Sequence, residues 1–140
     1  MSLEEILAKA NACPADEAKK QFTKPRHDHE HNIQMACVRW FRAQYPGYPL
    51  FAVPNGGRRD AVTGAKLKAE GAMAGVSDII LLCPSKHHAS LCIELKDKGN
   101  YQQQNQKVFQ AMVEKFGNKY VVVHNLDEFM YEVETYIADR

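Results

Sequence analysis

Two rhythms of apolar spacing run along the chain, and together they outline its elements. Ile33, Cys37, Trp40, Phe41 and Gln44 recur at three- and four-residue intervals, the period of a helix with one buried stripe. A helix is predicted from about Asp28 to Tyr45, ended by Pro46-Gly47. Glu30 and Gln34 extend the same stripe towards its N-terminus, where charge is out of place. Strand patterns follow at Leu50–Val53, Val76–Cys83, Ser90–Lys96 and Tyr120–His124. Asn55-Gly56-Gly57 marks a turn after the first, and the polar loop Pro84–Ala89 is short enough to join the second and third as a hairpin. A helix is predicted over about 102–116, stopped by Gly117-Asn118. A last helix over 126–138 has Asn125 as its cap and Asp127 and Glu128 in its first turn. At the N-terminus, Ser2-Leu3-Glu4-Glu5 fits a capping box for a short helix to about Asn11. A polar lead-in follows over residues 13–27. The order α-β-β-β-α-β-α describes an α/β domain over 28–140, a small mixed central sheet flanked by helices.

Composition narrows the class without naming it. The chain has 140 residues, enough for one domain that needs no staple. No apolar run approaches the roughly 20 residues of a membrane span, and the acidic start Met1-Ser2-Leu3-Glu4-Glu5 is not that of a signal peptide. Cys13, Cys37, Cys83 and Cys92 are widely spaced, with no Cys-x-x-Cys pair. They read as reduced core residues of a cytoplasmic protein. A formal charge of +1 does not announce a nucleic-acid partner, so local arrangement must decide.

The third strand pattern, Leu91-Cys92-Ile93-Glu94-Leu95-Lys96, carries the candidate chemistry. Alternation sets Leu91, Ile93 and Leu95 on one face and Cys92, Glu94 and Lys96 on the other. If the 84–89 loop closes a hairpin, Asp78 lands beside Glu94. Two carboxylates at that separation repel unless something positive lies between them, and a hard divalent cation fits that role. An isolated Glu-x-Lys is ordinarily a solvated strand edge. Here it follows Gly75-Val76-Ser77-Asp78 after fifteen intervening residues. Gln106 lines up with Phe109, Val113 and Phe116 at the head of a buried stripe, as Glu30 does on its own helix. A surface glutamine in a polar run is the alternative. Arg58, Arg59, Lys66 and Lys68, with Asn55 before them, make a flexible basic segment that reads either as phosphate contacts or as a solvated loop. His27, His29 and His31 alternate with acids, a polar helix entry or a metal cluster. Lys86-His87-His88 in the hairpin loop could add to those phosphate contacts, but a solvated loop is the favoured reading. No Ser/His or Cys/His nucleophile arrangement and no NTPase-type phosphate loop is present.

These residues resemble the PD-(D/E)xK nuclease superfamily, and within it the VRR-NUC family. The likeness spans most of 28–125: Glu30, Pro54-Asn55-Gly56, Gly71-x3-Gly75-x-x-Asp78, Ile93-Glu94-Leu95-Lys96 and Gln106. It implies that Asp78, Glu94, Lys96, Gln106 and Glu30 form the catalytic set. Asp78, Glu94 and the Leu95 carbonyl would hold Mg2+ or Mn2+, with Glu30 on the metal or its water shell. Lys96 would position the attacking water, and Gln106 would orient the assembly. Ser77 departs from the family's usual proline at a position that is not a ligand. The resemblance further implies a standalone DNA endonuclease acting on branched DNA, in the manner of a Holliday-junction resolvase, as a homodimer. A nicking, flap or general nuclease and a non-catalytic DNA-binding module are the alternatives. A metal-storage or sensor role for the histidines is a third.

Overall fold

The computed structural model describes residues 28–54 and 61–140, leaving Asn55, Arg58, Arg59, His27, Cys13 and the expected N-terminal helix outside the described residues. The order is α1 (Asp28–Gln44), β1 (Leu50–Ala52), α2 (Ala61–Ala69), β2 (Ile79–Leu81), β3 (Leu91–Leu95), α3 (Gln104–Lys115), β4 (Lys119–Val123) and α4 (Leu126–Ala138). The four strands form one sheet in the order β1-β2-β3-β4. The first three are antiparallel neighbours, and β4 lies parallel to β3. A parallel neighbour needs a crossover, which α3 supplies.

The strand alternation expected for β3 is realised on both faces. Leu91, Ile93 and Leu95 join Ile79, Leu81 and Val123 in a core closed by Cys37 and Phe41 of α1 and by Phe129, Val133 and Tyr136 of α4. Cys92 faces the other way, into a smaller cluster with Phe109 of α3 and Tyr120 of β4. All five β3 residues are buried, because this central strand has a helix layer on each side. Each fully buried Ile, Leu, Val or Phe contributes about 1.5–3 kcal/mol. The three described cysteines are free and buried. No helix among the described residues is long and apolar enough to cross a membrane.

Three sequence expectations are corrected. Residues 61–69 are helical where a flexible basic segment was expected; Ala61, Ala65, Lys66, Leu67, Lys68 and Ala69 are strong helix formers. None of them is buried, so no apolar stripe announced α2. Phe116 is not part of the buried stripe of α3: that helix ends at Lys115, and Phe116 swings out to 73% exposure. Gln44, at the end of α1, is exposed as well, while Trp40 packs edge-on against Phe129 at 6.2 Å.

Candidate active site

Register places the first two candidates together. Ile79 pairs with Ile93 in the antiparallel β2–β3 ladder, so Asp78 stands opposite Glu94 where the ladder ends. Asp78 is held from both sides. Its carbonyl accepts the Val53 N–H at 2.8 Å, and its carboxylate accepts the Leu95 N–H at 2.8 Å. The segment before it is fixed by Gly75. At φ +84° this residue lies so close to α3 that a Cβ would meet the Asn105 carbonyl oxygen at 2.3 Å. Only glycine permits both the conformation and the contact.

Glu94 is 3% exposed. Its Oε1 accepts the Gln106 Nε2 donor at 2.7 Å and lies 3.8 Å from Lys96 Nζ. Its Oε2 is buried with no hydrogen-bond partner. Gln106 is oriented by a second bond, because its amide oxygen accepts the Gln103 N–H at 2.8 Å. That leaves its NH2 group to face the carboxylate. Lys96 stays in register through its own N–H, donated to the Val123 carbonyl at 3.0 Å.

The electrostatics follow from this crowding. Burial first, then the Asp78 charge, push the Glu94 carboxyl up to about 8, with Lys96 opposing. Burial also raises Asp78, offset by the Leu95 N–H and reinforced by Glu30. Two carboxylates this close and this dry share a proton at neutral pH unless a cation replaces it. Two buried oxygen-donor acids side by side make a donor set suited to a hard divalent ion. No three His, Cys, Asp or Glu side chains converge as a ready metal cluster among the described residues. Glu30 stands one step back: its Oε1 accepts the Asp97 N–H at 3.0 Å. From there its charge still acts on both Asp78 and Glu94.

The histidines do not assemble either. His29 bonds to the Asp97 carboxylate through Nδ1, and His31 is exposed on α1. Lys66 and Lys68 are exposed on α2. Lys86, His87 and His88 lie in the hairpin loop before Leu91, at the far end of β3 from Glu94, with His87 paired to Asp139 at 2.8 Å. Two surface cavities of about 330 and 510 Å3 are lined by residues of the 88, 119–139 region and contain none of the site's carboxylates. They belong to other parts of the surface.

Sequence reasoning missed Asp97, which ties both His29 and Glu30 to the residue after Lys96. Its signal was adjacency to the Glu-x-Lys strand. It also missed Gln103, although the Gln103-x-x-Gln106 spacing is that of a capping box. Tyr120, whose buried hydroxyl makes no well-formed hydrogen bond, had no sequence signal.

The fold has a counterpart among solved structures. A protein titled "VRR_NUC domain protein" superposes with a TM-score of 0.69 at 26% identity, over 84% of this chain and 93% of its own. The chain has the fold of a VRR-NUC domain. No family profile and no curated protein matches it, so the assignment stands on shared structure. The VRR-NUC fold accounts for the mixed four-stranded sheet with its helices, and it makes a nuclease-family function the frame for the Asp78, Glu94, Lys96 and Gln106 cluster.

Proposed function

We propose that the protein is a divalent-metal-dependent DNA endonuclease that hydrolyses phosphodiester bonds. The observation that carries this reading is the buried Glu94 carboxylate: Gln106 fixes one oxygen, and Asp78 stands opposite, so that only a shared proton or a cation reconciles the two acids. A purely structural role would leave two buried acids held together at neutral pH by a shared proton alone, a costly arrangement with no packing to recommend it.

Asp78, Glu94 and the Leu95 carbonyl would hold Mg2+ or Mn2+, and Glu30 would hold water in its shell. When bound, such an ion polarises a phosphoryl oxygen and lowers the pKa of water. Lys96 offsets the negative charge gathering on the phosphate and orients the attacking water from beside Glu94. Gln106 keeps the carboxylate in one orientation, so no reorganisation is needed during the reaction. Asp97 and Glu30 fix the end of the catalytic strand. Lys66 and Lys68, with Arg58, Arg59 and Asn55 preceding them, supply phosphate contacts that position DNA without reading its sequence.

The preferred substrate in this reading is branched DNA, cut by a homodimer in the manner of a Holliday-junction resolvase. One site cuts one strand, and a two-fold pair of sites matches the symmetry of a four-way junction. The test compares a labelled four-way junction with a linear duplex of matched sequence in Mg2+ or Mn2+, with Lys96→Ala as control. Paired symmetric cuts in the junction, absent from the variant, are expected. Equal cutting of both substrates would leave a general nuclease. Binding without cutting would leave a DNA-binding module.

A further inference from the structure

The segment between the two halves of the site, from Lys96 to Gln106, carries an aromatic ring with no structural duty. Tyr101 is 87% exposed, and its ring makes no aromatic or cation–π contact among the described residues. A single exposed tyrosine is ordinary on a protein surface. The place of this one is not.

The segment is braced at both ends. Asp97 donates its N–H to Glu30, and Asn100 donates to the Asp97 carbonyl at 3.0 Å across a tight turn with Gly99 at φ +90°. On the other side, Gln102 bonds to Gln110 at 3.0 Å and Gln103 to Gln106. Tyr101 is therefore held on a built loop, five residues from Lys96 and five from Gln106. Its Cα lies within about 18 Å of each, since a chain spans at most ~3.6 Å per residue. Lys98, in the same turn, and Lys107, in the first turns of α3, are exposed and form no ion pair among the described residues.

An exposed ring flanked by unpaired cations next to a phosphodiester-cleaving site is the combination that binds single-stranded nucleic acid: cations follow the backbone and the ring stacks on a base. Inside a duplex no base face is available to it. We propose that Tyr101 is a stacking subsite for an unpaired nucleobase near the scissile phosphate, and that it selects DNA with unpaired bases over intact duplex. This rests on the nuclease reading but not on its four-way-junction form, whose arms are fully paired; it directs the site to branched DNA with single-stranded arms. The runner-up occupant is a second copy of the chain, because Val108, Met112 and Phe116 continue an exposed apolar row at four-residue spacing along and just past α3. The lysines favour DNA.

The test uses the full chain in Ca2+ with a splayed-arm DNA carrying 2-aminopurine in the unpaired arms, beside a matched duplex. The wild type is expected to quench 2-aminopurine and to prefer the splayed arm. Tyr101→Ala is expected to lose the quenching and about tenfold in splayed-arm affinity, while its duplex affinity changes less than twofold. Tyr101→Trp is expected to retain both. Equal loss on both DNAs, or on neither, overturns the proposal. So does a drop in assembly mass on sedimentation with DNA binding unchanged, which would assign the ring to a second copy. Cleavage in Mg2+ separates the two levels: a wild type that cuts no DNA removes the nuclease reading itself, whereas cutting that persists unchanged in Tyr101→Ala on both substrates removes only the role of Tyr101.

Discussion

Gln106 and Glu94 are joined by a 2.7 Å hydrogen bond from Nε2 to Oε1, and the amide that makes it is itself locked by the Gln103 N–H. The first turn of α3 thus sets the orientation of an acid on β3. Gln106→Glu keeps the acceptor for Gln103 and removes the donor to Glu94. Cleavage is expected to fall roughly 10- to 100-fold, the usual effect of losing such a supporting group, and the third carboxylate beside Glu94 is expected to lower the melting temperature in chelator. Wild-type turnover in this variant would contradict the role assigned to Gln106.

The site was legible in the sequence to the extent that strand alternation and hairpin closure dictate it. Once Glu94 and Lys96 share a face of β3 and the 84–89 loop closes, Asp78 must stand opposite Glu94, and it does. The cap and length of α4 were equally readable, because Asn125 accepts the Glu128 N–H and the apolar period is clean. Helix α2 was not, since it buries nothing and has no period to detect. The limits of the α3 stripe were missed because Phe116 lies one residue beyond the helix end, where the phase no longer holds. Backbone contacts such as Glu30 with Asp97 depend on tertiary geometry and leave no pattern in the side-chain sequence.

The raised Glu94 and Asp78 carboxyls make stability depend on pH in a defined direction. Glu94 rises from 4.5 to about 8, so between those values the folded state holds a proton that the unfolded chain releases. Its contribution is present below about pH 4.5 and is lost as pH rises through 8. In chelator, unfolding free energy is expected to fall between pH 5 and 8 by on the order of a few kcal/mol. Glu94→Gln should flatten that slope, as read by urea titration. A slope unchanged by the substitution would show that Glu94 is not its source.

Gly75 couples the loop carrying Asp78 to the α3 backbone. Gly75→Ala is expected to destabilise the fold by about 2–4 kcal/mol, combining left-handed strain with a backbone clash. Cleavage should fall with it even at temperatures where the variant is folded, because Asp78 and Gln106 are then misregistered. Gly71→Ala, with nothing within 4 Å of its Cβ but φ at +107°, is expected to cost less. Thermal unfolding and cleavage of the two variants measure the difference.

Tyr120 has a buried hydroxyl beside Cys92 and under α3 that makes no well-formed hydrogen bond, Gln102 being the side chain that comes nearest to one; burial pushes it up to about 12. Tyr120→Phe removes that hydroxyl and keeps the ring that packs on Phe109 at 6.2 Å. A gain of about 1 kcal/mol in stability is expected, read as a melting temperature raised by a few degrees. A loss of similar size would mean that the hydroxyl is satisfied in solution by Gln102 or a bound water.

The central claim, that Asp78 and Glu94 form a divalent-cation centre for phosphodiester cleavage, is tested most directly by nicking of supercoiled plasmid in Mn2+ by the wild type and by Glu94→Gln. Nicking that chelator abolishes and the single substitution removes, in a variant that still folds, is the predicted result. Nicking by Glu94→Gln at the wild-type rate would contradict it.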